Sequence, residues 1–521
     1  MLTPEQLDKF PDSLVELYSQ AEIDIISDIA RRISTYDYFI PSAEFQYRKL
    51  KEMGHVQILK RLSKLTGKTK KELETMMFDA GYESIKFDDK IYKKAGLSPK
   101  PIEQSPALMS VLDAGIKNTS GLFENLTRTT ASTATKQFEN VLDNAYMQIT
   151  TGAFDSNTAI RNAIKDLAGN GLASVQYPNG HINYIESAVR RAVITGVNQT
   201  ALKMQEARAV EMGSDLVETS AHAGARPSHA IWQGKVFSLS GTHPKYPDFK
   251  KETGYGTGAG LGGWHCRHNF YPFFEGLSEP AYSKQELQQM NAKDYEYNGE
   301  KMTEYEATQK QRAIERKIRR WKREYKGMEA AGLHTDEAAA KISQWQNIQK
   351  DFLQQTGLKR QTDREQIPGF GKSEAKKVEA VAKLPGEVIR FNKSHVALTE
   401  EQKLPDYINA IIPEAKISGY ALNKEHPTGK NKAIVFDSVL GYNIGNKDLL
   451  LKQVNEGLKK YQAKARPETK YGQPYEVSMM IKGVNGRYAK VKTGWIIDNG
   501  SKTPRLTSIR VAKKEGDSGE S

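Results

Sequence analysis

Two Asn-Gly dipeptides near the C-terminus, Asn485-Gly486 and Asn499-Gly500, restrict the fold more than any other feature of this sequence. Both central residues of a tight hairpin turn need positive φ, which Asn and Gly reach at least cost. The runs they separate, Tyr475 to Ile481, Tyr488 to Ile497 and Leu506 to Val511, are rich in β-branched and aromatic residues. A three-stranded antiparallel meander is therefore expected. Ahead of it, Asn446 to Ala463 carries Leu449, Leu450, Val454, Leu458 and Tyr461 at helical spacing, and a cap at Thr399 to Gln402 predicts a helix carrying Ile408 and Ile411. Helices followed by a meander make 387–521 an α+β domain.

The remaining length is too great for one core, and the pattern divides it. Residues 1–172 read as helices: Thr3 caps the first, with Pro4 at its first position, and Thr69 to Glu72 form a capping box before Leu73, Met76, Met77 and Ala80. Asp155 precedes Ala159, Ile160, Ala163, Ile164 and Leu167, with Gly169 and Gly171 as stop signals. The Ser/Thr-rich stretch Asn118 to Thr135 fits a loop or a polar helix. Residues 173–280 form a small α+β module: a hairpin turning at Asn179-Gly180, a long helix from Ser187 to Met212, and strands at Leu216 to Ser220 and Lys235 to Leu239. In 281–357, Ile314, Ile318, Trp321, Tyr325 and Met328 recur at the 4-3-4-3 spacing of a helical hairpin or coiled coil, Gly332 ends the first helix, and Ile342, Trp345, Ile348 and Phe352 mark the second. Residues 358–386, broken by Pro368, Gly369 and Gly371, read as a linker. The whole is a multidomain α+β chain.

Of the formal charge of +13, a net +11 lies between Leu451 and Lys514, which leaves the body nearly neutral. An anionic partner is thus best sought at the C-terminal end, though a solubilising surface would look the same. No run approaches the length of a membrane span, and the N-terminus lacks the basic and apolar regions of a signal peptide, so synthesis in a cytoplasm is expected. The lone cysteine, Cys266, rules out an intrachain disulfide framework.

The densest chemistry of the body lies in Ala225-Arg226-Pro227-Ser228-His229, Trp232-Gln233, the glycine run Gly254 to Gly263, and Trp264-His265-Cys266-Arg267-His268. His229, His265, Cys266 and His268 are residue types that bind zinc, and four would close a structural site. Their spacing is not that of a standard finger, however, and no second C-x-x-C exists. The favoured reading is a buried polar network of Arg226, His229, Trp232, Gln233 and Arg267 with no cofactor, zinc being the alternative. A Cys-His hydrolase is weaker still. The glycine run lacks the Gly-Lys-Ser/Thr of a phosphate loop and reads as a flexible connection. These motifs resemble the minor capsid proteins of phages infecting Gram-positive bacteria, relatives of the phage-Mu-type head-morphogenesis proteins, over roughly 1–280. In that broader group a similar R-x-x-H and H-x-x-C-R-C pair recurs, and here His268 stands where a second cysteine is frequent. The resemblance implies a virion component made in the host bacterial cytoplasm. It would be present in few copies, attached to portal and capsid proteins at the portal or inner head, and would assist assembly or DNA delivery.

In the C-terminal domain a metal-independent nuclease would need a proton-transfer group and cations for the phosphate. His426, Arg487, Lys492 and Thr493 are the candidate catalytic residues, and Lys430, Lys432, Lys490 and Arg505 the candidate nucleic-acid contacts. Alternation along the second strand sends Tyr488, Lys490, Lys492 and Gly494 to one face and Ala489, Val491, Thr493 and Trp495 to the other. The segments around 418–433 and 485–506 resemble an uncharacterised domain at the C-termini of phage and polymorphic-toxin proteins, which implies kinship with barnase–EndoU–colicin–RelE-like nucleases. A non-catalytic nucleic-acid-binding or virion-docking domain fits the same basicity, and so does a pure scaffold.

Overall fold

The structure is a computed structural model that describes residues 2–35, 56, 58, 60–62, 64–151, 153, 155–176, 182–397 and 400–512. It forms two compact units, Met1–Ala331 with Lys341–Ala375, and Gly332–Ala340 with Lys376–Ser521.

The first unit opens with α1 (Pro4–Lys9), on which Thr3 and Gln6 make the expected reciprocal cap, and α2 (Asp12–Thr35). Helix α3 (Leu65–Lys94) starts earlier than the capping box predicts: Thr69 lies inside it, buried, and its hydroxyl donates to the Leu65 carbonyl instead of capping. The Ser/Thr-rich stretch is helix, part of the 45-residue α4 (Pro106–Thr150). Its threonines are structural. A Cβ at Gly115 would lie 2.2 Å from Thr200 Oγ1, and one at Gly196 would lie 2.5 Å from Thr119 Oγ1. These two reciprocal gaps let α4 lie close against α6 (Ile185–Glu211), which follows α5 (Ser156–Asn170) and the hairpin of β1 (Ala173–Gln176) and β2 (Ile182–Tyr184). Asp155 caps α5 as expected, while Gly169 is helical and Gly171, at φ 60°, ends it. The Asn179-Gly180 turn lies outside the described residues.

Beyond α6 a three-stranded antiparallel sheet has the order β4-β3-β5, from β3 (Leu216–Thr219), β4 (Val236–Ser238) and β5 (Phe270–Pro272). Val217, Trp232, Phe237, Phe249 and Phe270 close its core against Leu202 of α6. The turn α7 (Pro227–Ala230) and helix α8 (Phe249–Thr253) sit in its connections. After α9 (Lys284–Met290), a hairpin of β6 (Tyr295–Tyr297) and β7 (Glu300–Met302), turning at Asn298 and Gly299, leads to α10 (Glu304–Ala330). The seam of α10 is divided: Ile314 and Ile318 pack with Phe352 of α11 (Asp336–Thr356), whereas Gly327 lies on Ile164 and Ile26 of α5 and α2. Residues 358–386, expected as a linker, carry α12 (Thr362–Glu365) and α13 (Lys372–Ala382), with Ile367 and Phe370 buried.

In the second unit, α14 (Gly386–His395) precedes two short 3-10 turns, Glu400–Gln402 and Tyr407–Asn409. The α-helix expected there does not form, and Ile408 and Ile411 are exposed. Pro405 and Pro413 remove N–H groups that such a helix would need; Thr399 lies outside the described residues. A short helix α15 (Glu414–Lys416), a π-type turn (Ile417–Ala421) and α16 (Lys430–Leu440) follow. Helix α17 (Lys447–Lys460) buries Leu450, Val454 and Leu458, with Leu449 exposed. The three strands form as predicted: β9 (Gly472–Lys482), β10 (Tyr488–Asp498) and β11 (Pro504–Val511) are joined antiparallel, and β8 (Ala463–Ala465) adds a fourth strand at the β9 edge. The turns differ from the expected tight pair: the connections are residues 483–487 and 499–503, and only their glycines, Gly486 and Gly500, take positive φ. Its inner face, with Val477, Met479, Val491 and Trp495, shares one core with Phe436 and Leu440 of α16.

Candidate functional site

The loop after α8 carries the chemistry of the first unit. Its glycine run is a compact wound segment, not a loose connection. A Cβ at Gly260 would sit 2.0 Å from the Gly254 carbonyl oxygen, and one at Gly263 would sit 2.3 Å from that of Gly258. Only glycine allows the backbone to pass so close to itself. The Cys266–His268 segment that follows is held by Asn198 of α6, whose buried amide donates to the carbonyls of Cys266 and His268, both at 3.1 Å.

That clamp brings three side chains together. His229 Nδ1 and His268 Nδ1 lie 3.4 Å apart, and Cys266 Sγ is 3.7 Å from the first and 3.6 Å from the second. All three residues are buried. Their hydrogen bonds fix the tautomers. His229 Nε2 is 2.8 Å from the Ala259 carbonyl, an acceptor only, so Nε2 carries the proton. Gln233 Oε1 accepts from the His222 backbone N–H at 3.3 Å, which orients the amide, so His268 Nε2 donates to that oxygen at 3.0 Å. Both Nδ1 lone pairs therefore point into the gap beside the sulfur. Trp232 packs 4.7 Å from each ring, and His222, which the motif reading missed, packs 4.3 Å from His268. Burial lowers the pKa of His229 and His222, lowers that of His268 further, and raises that of the Cys266 thiol.

His265 stands apart from the cluster. With φ of 57°, its ring meets Arg267 at 3.3 Å, and burial, followed by the Arg267 charge, lowers its pKa to about 2. Arg226 donates to the Trp264 carbonyl at 2.7 Å, and Arg267 forks onto Asp8 at 3.0 and 2.5 Å. The expected polar network thus divides: His229, Trp232 and Gln233 surround the Cys/His cluster, while Arg226 and Arg267 face a cavity next to it.

That cavity, of about 450 Å³, is lined by His229, Cys266 and His268 together with eight arginines and only two glutamates, Glu186 and Glu315. Arg319 pairs with Glu186 at 2.8 Å and Arg190 with Asp12 at 3.2 Å. Burial, and then the Arg364 and Arg267 charges, lower Arg312 to about 10, and burial raises Glu315 to about 7. Arg312, Glu315 and Arg364 come from α10 and α12, far along the chain from the motif, and no local pattern announced them.

The C-terminal candidates do not share one cleft. His426 closes the turn just before α16: its Nδ1 accepts from the Gly429 N–H at 2.9 Å and the Thr428 N–H at 3.2 Å. Lys430 begins that helix, and Lys432 lies over the Tyr420 ring at 4.7 Å. Arg487 follows Asn485, which bonds to Val439 at the other end of α16, so about 15 Å of helix separates it from His426. Lys490 and Lys492 lie on the sheet face opposite α16, with Lys492 3.4 Å from Glu476 and Lys490 5.8 Å over the Phe391 ring. Arg505 forks onto Asp498 at 3.0 and 2.9 Å, at the far end of β10 from Arg487. Thr493 is fully buried, donating to the Val477 carbonyl at 3.0 Å and accepting from Trp495 Nε1 at 2.8 Å. This corrects the catalytic expectation for Thr493, whose hydroxyl is already used inside the core.

Among known proteins, a family model described as phage minor capsid protein 2 matches residues 2–354, and a domain family of unknown function matches residues 403–513. A structural protein of Lactococcus phage LL-H is 26% identical over 348 residues, covering 62% of this chain and 88% of that protein. A structural protein of Lactococcus phage mv4 is 34% identical over 128 residues, 24% of this chain and 94% of that protein. No solved structure matches. The family match takes in the Cys/His cluster and most of the arginine-lined cavity, and the chain belongs to the phage minor capsid protein 2 family.

Proposed function

We propose that this virion structural protein is attached at the portal or inner head surface and that its C-terminal unit holds nucleic acid there without cleaving it. One observation carries the reading. Residues opposite each other across an antiparallel sheet share a face, so the register puts Lys464, Lys482, Lys490, Lys492, Arg505 and Arg510 on one side of the β8–β11 sheet, with Glu476 and, paired with Arg505, Asp498 as the carboxylates among them. Such a face follows a phosphate backbone by charge, without reading sequence. A nuclease would need His426 and the cations around one phosphate, whereas His426 closes the turn before α16, the helix packed on the sheet face opposite Lys492.

Titration of labelled duplex DNA and RNA with the full chain tests this. With about four phosphate contacts, affinity is expected to fall on the order of 100-fold between about 50 and about 200 mM salt. Lys492→Glu combined with Arg510→Glu should weaken binding, and no cleavage should accumulate. Salt-insensitive binding, or cleavage that His426→Ala abolishes, would overturn the reading.

A further inference from the structure

We propose that His229, Cys266 and His268 ligate a divalent transition-metal ion, zinc by preference, with a fourth coordination position open toward the arginine-lined cavity. Zinc binds imidazole nitrogen at about 2.0–2.1 Å and thiolate sulfur at about 2.3 Å. In tetrahedral geometry those lengths set the ligand edges at about 3.4 Å for N···N and about 3.6 Å for N···S. The protein holds its three atoms at 3.4, 3.6 and 3.7 Å. These are three edges of one face of that tetrahedron, and among the described residues this is the group of His, Cys and carboxylate side chains assembled closely enough to hold an ion.

The hydrogen bonding argues the same way. Both Nδ1 atoms are bare lone pairs, because Ala259 and Gln233 accept the Nε2 protons. Without an ion, two lone pairs face each other at 3.4 Å, and the single Sγ–H proton can serve only one of them. An ion at the centre serves all three donors. Ala259 and Gln233 then act as the outer acceptors that orient metal-bound imidazoles and raise their basicity. A nitrogen and sulfur donor set selects zinc or a similar ion over magnesium or calcium. Binding converts the Cys266 thiol to a thiolate and releases its proton to solvent. His265 is not a ligand, since its ring is turned toward Arg267. All three ligands line the cavity, so the remaining position would open toward it.

The test uses full-length, tag-free protein loaded with zinc chloride and dialysed into metal-free buffer, followed by elemental analysis. One zinc per chain is expected. Loading with cobalt chloride should give a thiolate-to-cobalt charge-transfer band with the strong visible bands of four-coordinate cobalt. Cys266→Ala should remove the charge-transfer band, His268→Ala should lower zinc affinity at least about 100-fold, and Gln233→Ala should lower it about 10- to 100-fold. His265→Ala should keep both metal and spectrum. Wild type that retains no zinc and shows no charge-transfer band overturns the proposal, as does an unchanged cobalt spectrum in Cys266→Ala. Should a ligand variant fail to fold, the wild-type cobalt spectrum decides the question.

Discussion

Both units hold positive charge, in opposite ways. The first concentrates arginines around a partly enclosed cavity, where Arg267, Arg190 and Arg319 are fixed by Asp8, Asp12 and Glu186. The second spreads lysines over one face of an open sheet, where Lys492 shares Glu476 with Arg466. Guanidinium is planar, weakly hydrated and held by forked bonds, so it tolerates burial; ammonium is compact and strongly hydrated and stays in solvent. Charges in a cavity act in a low dielectric and escape salt screening, whereas exposed ones lose their reach within about 10 Å at ordinary ionic strength. The first arrangement suits a ligand of defined shape, the second a long polyanion held in any register.

If that contrast is right, removing charges should cost far more in the first unit than in the second. The largest loss is expected from Glu22→Ala. Glu22 is buried against Arg323 at 3.6 Å and accepts the Leu172 N–H at 2.9 Å, so its loss strands a buried cation. Urea denaturation should show about 3–5 kcal/mol lost from the first-unit transition. Asp88 sharpens the point through pH. Burial, opposed by the Gln205 hydrogen bond, raises its pKa to about 8, above the unfolded value near 4. The folded state therefore holds the proton more tightly, and the first unit should lose stability as pH rises from about 4 to about 8. Asp88→Asn should remove that slope and gain on the order of 5 kcal/mol at pH 8, measured by urea melts across the range. A flat wild-type profile would contradict the assignment.

Effects in the second unit should be smaller. Thr493→Val leaves the buried Trp495 N–H and Val477 carbonyl without their partner, and the second-unit transition should drop by about 1–3 kcal/mol. Smallest of all, Arg505→Ala breaks an exposed fork onto Asp498 and should cost less than about 1 kcal/mol in the same melt. A loss there as large as that of Glu22→Ala would erase the distinction between the units.

Features of the fold that depend on near neighbours were legible in the sequence. The Thr3 cap, the Gly171 and Gly332 stops, the place of the turn at Gly486 and the two faces of β10 all follow from local backbone and side-chain geometry. The Ser/Thr-rich part of α4 was undecidable because its polar side chains are placed by distant helices, Thr119 against Gly196 of α6 and Thr127 against Tyr18 of α2. Residues 358–386 read as a linker because Pro368, Gly369 and Gly371 are turn residues, yet Phe370 finds Tyr325 of α10 at 5.4 Å between ring centres. The candidate site was legible by residue type and not by membership. His265 and His268 are both histidines of one short motif, and only the fold turns one toward Arg267 and the other toward Cys266.

From its sequence alone, this protein's multidomain α+β class and the basic end of its chain follow from periodicity and composition, and its resemblance to phage minor capsid proteins rests on the motifs of residues 225–273. Tertiary structure alone decided that His229, Cys266 and His268 meet within 3.7 Å of one another, that arginines from α10 and α12 complete the cavity beside them, and that His426 and Arg487 lie at opposite ends of α16. Long-range packing sets those distances, and no spacing along the chain records it.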